Sequence, residues 1–154
     1  MGLAYRVIAR LDIKGGNLVK PYQFEGLRVL GHPAQFARRY ADQGADELLY
    51  IDIVASLYGK NQLETLIEET SAGAFIPITV AGGMAKFDDA IRLFRCGADK
   101  IALNTGALRN PRAVTQCADT IGHQAVVVSI EAKRVNGGWE AYTDCGRIPS
   151  GKDA

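Results

Sequence analysis

Short, nearly continuous apolar runs alternating with helical patterns constrain this chain more than any other feature. Tyr5–Asp12, Glu47–Ile53, Phe75–Val80, Lys100–Leu103 and Ala125–Ile130 read as five strands. Their Val, Ile and Leu content suits parallel strands covered on both faces, because half-exposed strands alternate apolar with polar residues. Amphipathic segments lie between them. Phe87, Ala90, Ile91 and Phe94 recur at helical spacing, as do Val114, Cys117, Ala118 and Ile121. Pro33 and Pro111 stand where a first helical position is expected, and Gly44 and Gly97 stand just past helix ends. The pattern predicts β-α-β-α-β-α-β-α-β, an α/β fold with a parallel sheet.

An internal echo narrows the architecture. Gly44-Ala45-Asp46 before the second strand recurs as Gly97-Ala98-Asp99 before the fourth. A repeat spanning two βα units favours a barrel of equivalent units over a doubly wound sheet. A (β/α)8 barrel usually takes about 250 residues, and this chain has 154. The expectation is therefore one domain, residues 1–154, forming the N-terminal part of a (β/α)8 TIM barrel with about five of its strands and no second domain. The closing residues 146–154 read as a loop entering a helix. Open sheet edges would invite self-association.

The remaining bulk properties exclude more than they assert. A formal charge of +1 gives no electrostatic case for nucleic acid or membrane binding, and no apolar run reaches bilayer-spanning length. Cys96, Cys117 and Cys145 are odd in number and lack metal-type spacing, which fits a reduced, cytoplasmic setting. His32 and His123 have no clustered partners, so neither a metal nor another cofactor is expected. No Ser-His-Asp or Cys-His arrangement can be assembled either.

In a barrel the chemistry sits at the C-terminal ends of the strands. Strand one ends in Asp12, strand two carries Asp52, and strand five ends in Glu131. In an eight-stranded ring, strands one and five oppose each other, so Asp12 and Glu131 could face across the mouth as acid and base. The plainer alternative is that each carboxylate caps a turn or pairs with a neighbouring cation. The corner Ala81-Gly82-Gly83 and the pair Asn104-Thr105 each lead from a strand toward a helix, a setting that cradles phosphate with backbone N–H groups and side-chain donors. The segment from Lys14 to Gly31 exceeds the usual βα loop of roughly 2–6 residues. It reads as a binding loop in which Lys20 could clamp a phosphate, or remain a solvated surface lysine. Arg6, Glu47 and Lys100 stand at strand starts, where mixed charges make either a stability plug or a gate around an axial channel. Trp139 and Tyr142, following Asn136-Gly137-Gly138, read as a short hairpin.

At these residues the chain resembles the histidine-biosynthesis (β/α)8 barrels, the family of the cyclase subunit of imidazole glycerol phosphate synthase. The likeness lies in Leu11-Asp12-Ile13-Lys14, Gly44-Ala45-Asp46-Glu47-Leu48, Asp52-Ile53-Val54-Ala55-Ser56, Ala98-Asp99-Lys100 with Asn104-Thr105, and Ala132-Lys133-Arg134-Val135-Asn136-Gly137. The resemblance implies a lyase-type cyclase that takes ammonia from a glutaminase (glutamine amidotransferase) partner. The ammonia reacts with a bisphosphorylated ribulosyl-formimino substrate, giving imidazole glycerol phosphate and an aminoimidazole carboxamide ribotide. It implies Asp12 and Glu131 as the catalytic pair, Lys20 near the substrate, and Gly82, Gly83, Asn104 and Thr105 at a phosphate. It also implies Arg6, Glu47 and Lys100 as members of the ammonia gate. Three features depart from the family pattern. Glu131 replaces an aspartate, Arg10 replaces a small or thiol residue, and Ala81 replaces a glycine. Together with Glu25-Gly26-Leu27-Arg28-Val29-Leu30-Gly31 and Tyr142-Thr143-Asp144, they resemble a paralogous group. Its members supply ammonia to an amidotransferase in surface-polysaccharide synthesis, and an inactive half-barrel fragment is the further alternative.

Overall fold

The structure, a computed structural model, describes residues 4–22, 26–55, 63–84 and 86–154. Glu25 and Ser56, quoted above among the family-like residues, lie outside the described residues. The chain opens with β1 (Ile8–Lys14), β2 (Asn17–Tyr22) and β3 (Gly26–Gly31), then α1 (Pro33–Asp42) and β4 (Glu47–Asp52). Next come α2 (Glu64–Ser71), β5 (Ile78–Ala81), α3 (Phe87–Arg95) and β6 (Lys100–Leu103). The short α4 (Thr105–Arg109), α5 (Pro111–Ile121) and a 3-10 turn (His123–Ala125) lead into β7 (Val126–Val128). Then β8 (Glu131–Val135), β9 (Gly138–Thr143) and β10 (Ile148–Asp153) follow.

The main sheet has the order β3-β2-β1-β4-β5-β6-β7. From β1 to β7 every neighbouring pair is parallel, which is the succession expected of consecutive βα units. Register explains how one sheet serves both a core and a site. Leu11, Tyr50, Val80 and Ile101 lie in one cross-strand row and are wholly buried in the core with Ile67 of α2, Leu93 of α3 and Cys117 of α5. Burying each large side chain contributes about 1.5–3 kcal/mol. The adjacent row, Asp12, Ile51, Ala81 and Ala102, points to the other face because side chains alternate along a strand. The helices thus take one face of the sheet, and the other is left for chemistry. Tyr50 shows how dry the helical side is. Burial pushes its phenol up to about 12, although its hydroxyl shares a 2.8 Å hydrogen bond with Thr70 Oγ1.

The repeated Gly-Ala-Asp tripeptide has a physical counterpart. After α1 and α3 the chain turns at Gly44 and Gly97, with φ of 89° and 111°, angles that side chains with a Cβ rarely adopt. Each following aspartate then grips the strand beside it twice. The Asp46 N–H donates to Val7 O at 2.9 Å, and its carboxylate accepts the Val7 N–H at 2.6 Å. Asp99 makes the same pair of bonds with Ile78, at 2.9 Å and 2.8 Å. Two equivalent clasps fix where β4 and β6 enter the sheet.

Several expectations are corrected. The first strand begins at Ile8, where the ladder to Glu47 begins, and Tyr5 is fully exposed. The third begins at Ile78, leaving Phe75 in solvent, because Pro77 has no N–H to give a ladder. The fifth is only Val126–Val128, and Val127 and Val128 are exposed, so it is not covered on both faces. The segment from Lys14 to Gly31 is not an open loop. It forms the antiparallel strands β2 and β3, which extend the sheet beyond β1. The final residues form no helix entry but pair as β10 with β9. With β8, which turns into β9 at Asn136-Gly137 as the hairpin expectation required, they make a separate antiparallel sheet.

Candidate functional site

A cavity of about 700 Å³ opens at the C-terminal ends of the parallel strands, lined by Asp12, Asp52, Gly82, Gly83, Asn104, Thr105 and Glu131. Seven of the residues singled out in the sequence therefore meet in one place. Asp12 arrives on the last layer of the helix-free face of β1. Arg10, two residues earlier on the same face, donates from Nε to Asp12 Oδ1 at 2.8 Å and lines the cavity as well. Glu131 arrives from a different element than expected. It opens β8 instead of ending the fifth parallel strand, and its Oε2 accepts the Gly146 N–H at 2.8 Å. The two carboxylates nevertheless share the cavity although their strands come from separate sheets.

Asp52 performs the plainer task foreseen for a strand-end carboxylate. It is buried, and its Oδ1 accepts the N–H groups of Val54 and Ala55 at 3.1 and 2.9 Å, an Asx turn that closes the end of β4. The glycine corner packs against it. Gly82 has φ of 102°, and a Cβ there would lie 2.3 Å from Asp52 O, so no larger residue fits without displacing backbone. Gly83 follows with φ of 68°. Bare backbone is thereby held at the cavity wall, the condition for a close approach by an anion.

Asn104 precedes α4 and Thr105 begins it. Asn104 Oδ1 is buried with no hydrogen-bond partner among the described residues. A buried amide left unpaired is costly, and a half-turn about χ2 would present its NH2 as a donor instead. Thr105 Oγ1 accepts the Asp144 N–H at 3.1 Å. The hairpin contributes Pro21 to the lining but not Lys20, which is exposed and pairs across the ladder with Arg28. Lys20 is thus the one residue expected at the substrate that the structure does not bring into the cavity.

The opposite end of the strands carries the mixed-charge cluster. Glu47 Oε2 accepts from Lys100 Nζ at 2.7 Å and from Arg6 Nη1 at 3.3 Å, and Oε1 accepts from the Thr79 hydroxyl. Burial alone would raise the Glu47 carboxyl. The hydrogen bonds from Lys100 and Thr79 and the charges of Lys100 and Arg6 outweigh it, so the group lies below its ordinary value. Arg6 is largely exposed whereas Glu47 is buried. No group of three or more metal-ligand side chains occurs among the described residues.

Sequence reasoning gave no role to Arg10, Arg109, Asp144, Cys145 and Arg147, although Arg10, Arg109, Cys145 and Arg147 line the cavity. Period-two alternation could have flagged Arg10 beside Asp12. Arg109 and Asp144, joined at 2.7 Å, are far apart in sequence and share no local signal.

A family model described as "Histidine biosynthesis protein" matches residues 6–154. The chain belongs to this family. Within the histidine biosynthesis family, a fold of (β/α)8 barrels, the parallel strands described above are consecutive βα units. The chain is 56% identical over 149 residues to the imidazole glycerol phosphate synthase subunit HisF of Legionella pneumophila, a match covering 96% of this chain and 70% of that protein. It is 47% identical over 152 residues to the subunit of the same name from Myxococcus xanthus (strain DK1622), covering 99% of this chain and 60% of that one. It thus spans between three fifths and seven tenths of the length of these curated histidine biosynthesis relatives.

Proposed function

We propose that this chain supplies the acid–base and phosphate-binding part of an imidazole glycerol phosphate synthase cyclase subunit. The observation that carries the reading is one cavity lined by Asp12, Glu131, the Gly82-Gly83 corner and Asn104-Thr105. Closing an imidazole ring with ammonia requires protons to leave the incoming nitrogen and to reach the departing groups. Two carboxylates at one cavity suit that traffic, one accepting while the other donates. A bisphosphorylated ribulosyl-formimino substrate would seat one phosphate on the bare backbone of Gly82 and Gly83 and on the Asn104 and Thr105 side chains. No metal or other cofactor has a part in this reading.

The ammonia source we propose is a glutaminase subunit docked at the N-terminal ends of the strands. Tyr5, Val7, Ile8 and Phe75 are exposed apolar residues at that end, and exposed apolar side chains suit a partner surface. They lie beside the cluster of Arg6, Glu47 and Lys100, which we take as part of the gate. From there Thr79 and Lys100, in one cross-strand row with Arg10 and Leu49, lead along the helix-free face toward Asp12. No helix among the described residues is long and apolar enough to cross a membrane, and we place the reaction in the cytoplasm.

A second reading, the paralogue that only delivers ammonia to an amidotransferase reaction in surface-polysaccharide synthesis, is favoured by Arg10 on Asp12 and by Glu131. The extra methylene of Glu131 moves its carboxylate by about one C–C bond, enough to weaken acid–base geometry. Incubating the chain with ammonium and the ribulosyl-formimino bisphosphate separates the two. Formation of imidazole glycerol phosphate supports the cyclase. Binding without conversion supports the paralogue, and neither binding nor conversion overturns the site.

A further inference from the structure

The turn between β9 and β10 runs over residues 144–147, and its first three, Asp144, Cys145 and Gly146, have φ of 52°, 61° and 70°. Asp visits such angles occasionally but Cys rarely does, so contacts elsewhere must hold Cys145 and the turn in place. Beyond its own hairpin strands it is tied, among the described residues, at four points. The Asp144 N–H donates to Thr105 Oγ1 at 3.1 Å, and the Gly146 N–H donates to Glu131 Oε2 at 2.8 Å. The Cys145 thiol donates to Ile53 O at 3.4 Å. The Asp144 carboxylate, only 7% exposed, receives Arg109 Nη2 at 2.7 Å.

These ties join the two elements that bring Thr105 and Glu131 to the cavity, and each sets a polarity. A hydroxyl that already accepts an N–H directs its own proton elsewhere, which makes Thr105 a donor. The ionised oxygens of a phosphate are acceptors and require that. Glu131, with Oε2 held by Gly146, keeps Oε1 for a reacting group. Both settings depend on the turn staying down. Arg109 is 61% exposed, but it is the side chain that meets the Asp144 carboxylate among the described residues, so its loss leaves a buried carboxylate uncompensated.

We infer that Arg109 and Asp144 are positioning residues whose ion pair clamps the Asp144–Gly146 turn, fixing Thr105 as a phosphate donor and Glu131 in its working orientation. The inference rests on the cyclase reading for the use of both groups. The clamp itself is a property of the chain and is tested separately.

The test compares the full chain with Arg109→Met and Arg109→Lys, following amide hydrogen exchange and titration with inorganic phosphate. In Arg109→Met the Asp144 and Gly146 amides should exchange at least tenfold faster while the β8–β9 ladder keeps its rates. Phosphate affinity should fall about fivefold to tenfold, and Arg109→Lys should recover most of both. Unchanged exchange at Asp144 and Gly146, or equal acceleration throughout β8 and β9, overturns the clamp. Wild-type protein that shows the clamp but does not bind phosphate overturns the phosphate reading and leaves the hold on Glu131 standing. Should Arg109→Met not fold, Asp144→Asn removes the same ion pair while keeping an acceptor in place, and the same outcomes apply.

Discussion

Glu47 is buried with both oxygens engaged, by Lys100, Arg6 and Thr79, and that makes it a residue through which pH acts on this fold. Its folded carboxyl lies below the ordinary value of 4.5. A lowered carboxyl pKa contributes stability that is complete above the unfolded value and is lost as pH falls through the folded one. Unfolding measured from pH 7 down to pH 3 should therefore show a loss beginning near 4.5, and Glu47→Gln should flatten that part of the curve. At neutral pH the substitution should cost about 2 kcal/mol, the scale of charge-assisted hydrogen bonds. A Glu47→Gln curve parallel to wild type would place the acid sensitivity elsewhere. Arg6, more than half exposed, should matter little by itself, because Lys100 and Thr79 still hold Glu47 without it. At this scale the sequence was informative where a residue's position on its strand decides its neighbours. Asp12, Glu47 and Lys100 could be placed from strand ends and alternation alone. Lys20 could not, because its placement depended on whether the preceding segment was loop or strand.

The two Gly-Ala-Asp clasps belong to the level of elements. Asp46 and Asp99 make the same two bonds to the neighbouring backbone, one where β4 enters beside β1 and the other where β6 enters beside β5. Asp46→Ala and Asp99→Ala should each cost about 1–3 kcal/mol, and because the sites share no partner the double variant should show the sum. A double variant well below the sum would mean that the clasps form one coupled unit. Helices were readable because Pro33 and Pro111 mark their starts and apolar residues recur on one face. The hairpin β2–β3 was not, since Gly15-Gly16 and Pro21 read as loop signals while the ladder that orders it is formed with β1. For β10, Pro149 and Gly151 likewise argued against a strand, and pairing with β9 overrode them. Glu131 was assigned to the wrong strand for a related reason. Ser129 and Ile130 fall outside any strand and separate the parallel β7 from the hairpin strand β8, a break with no residue-level signal.

Across the molecule, the main sheet ends in β3 on one side and β7 on the other. Leu27, Val29 and Leu30 are exposed at the first edge, Val127 and Val128 at the second. Exposed apolar edge strands pair with one another, so sedimentation of the 16.6 kDa chain should show concentration-dependent assembly. Val128→Lys should shift it toward monomer, whereas a wild-type chain that is monomeric at all concentrations would contradict this. The barrel-type succession of parallel strands and the meeting of Asp12 with the glycine corner were legible from apolar runs alternating with helical patterns and from strand-end chemistry, whereas the face left free of helices was not, because near-continuous apolar strands read as covered on both sides. The clamp by Arg109 and Asp144 was not, because it exists only once β9 folds over α4. The account turns on Asp12 and Glu131 exchanging protons with a substrate anchored beside them. Its most direct test is the ammonia-dependent rate of ring closure by Asp12→Asn in the assembled synthase, measured beside its phosphate affinity. The account predicts a rate about 10²- to 10⁴-fold lower with phosphate affinity retained, and an Asp12→Asn enzyme turning over at the wild-type rate would contradict it.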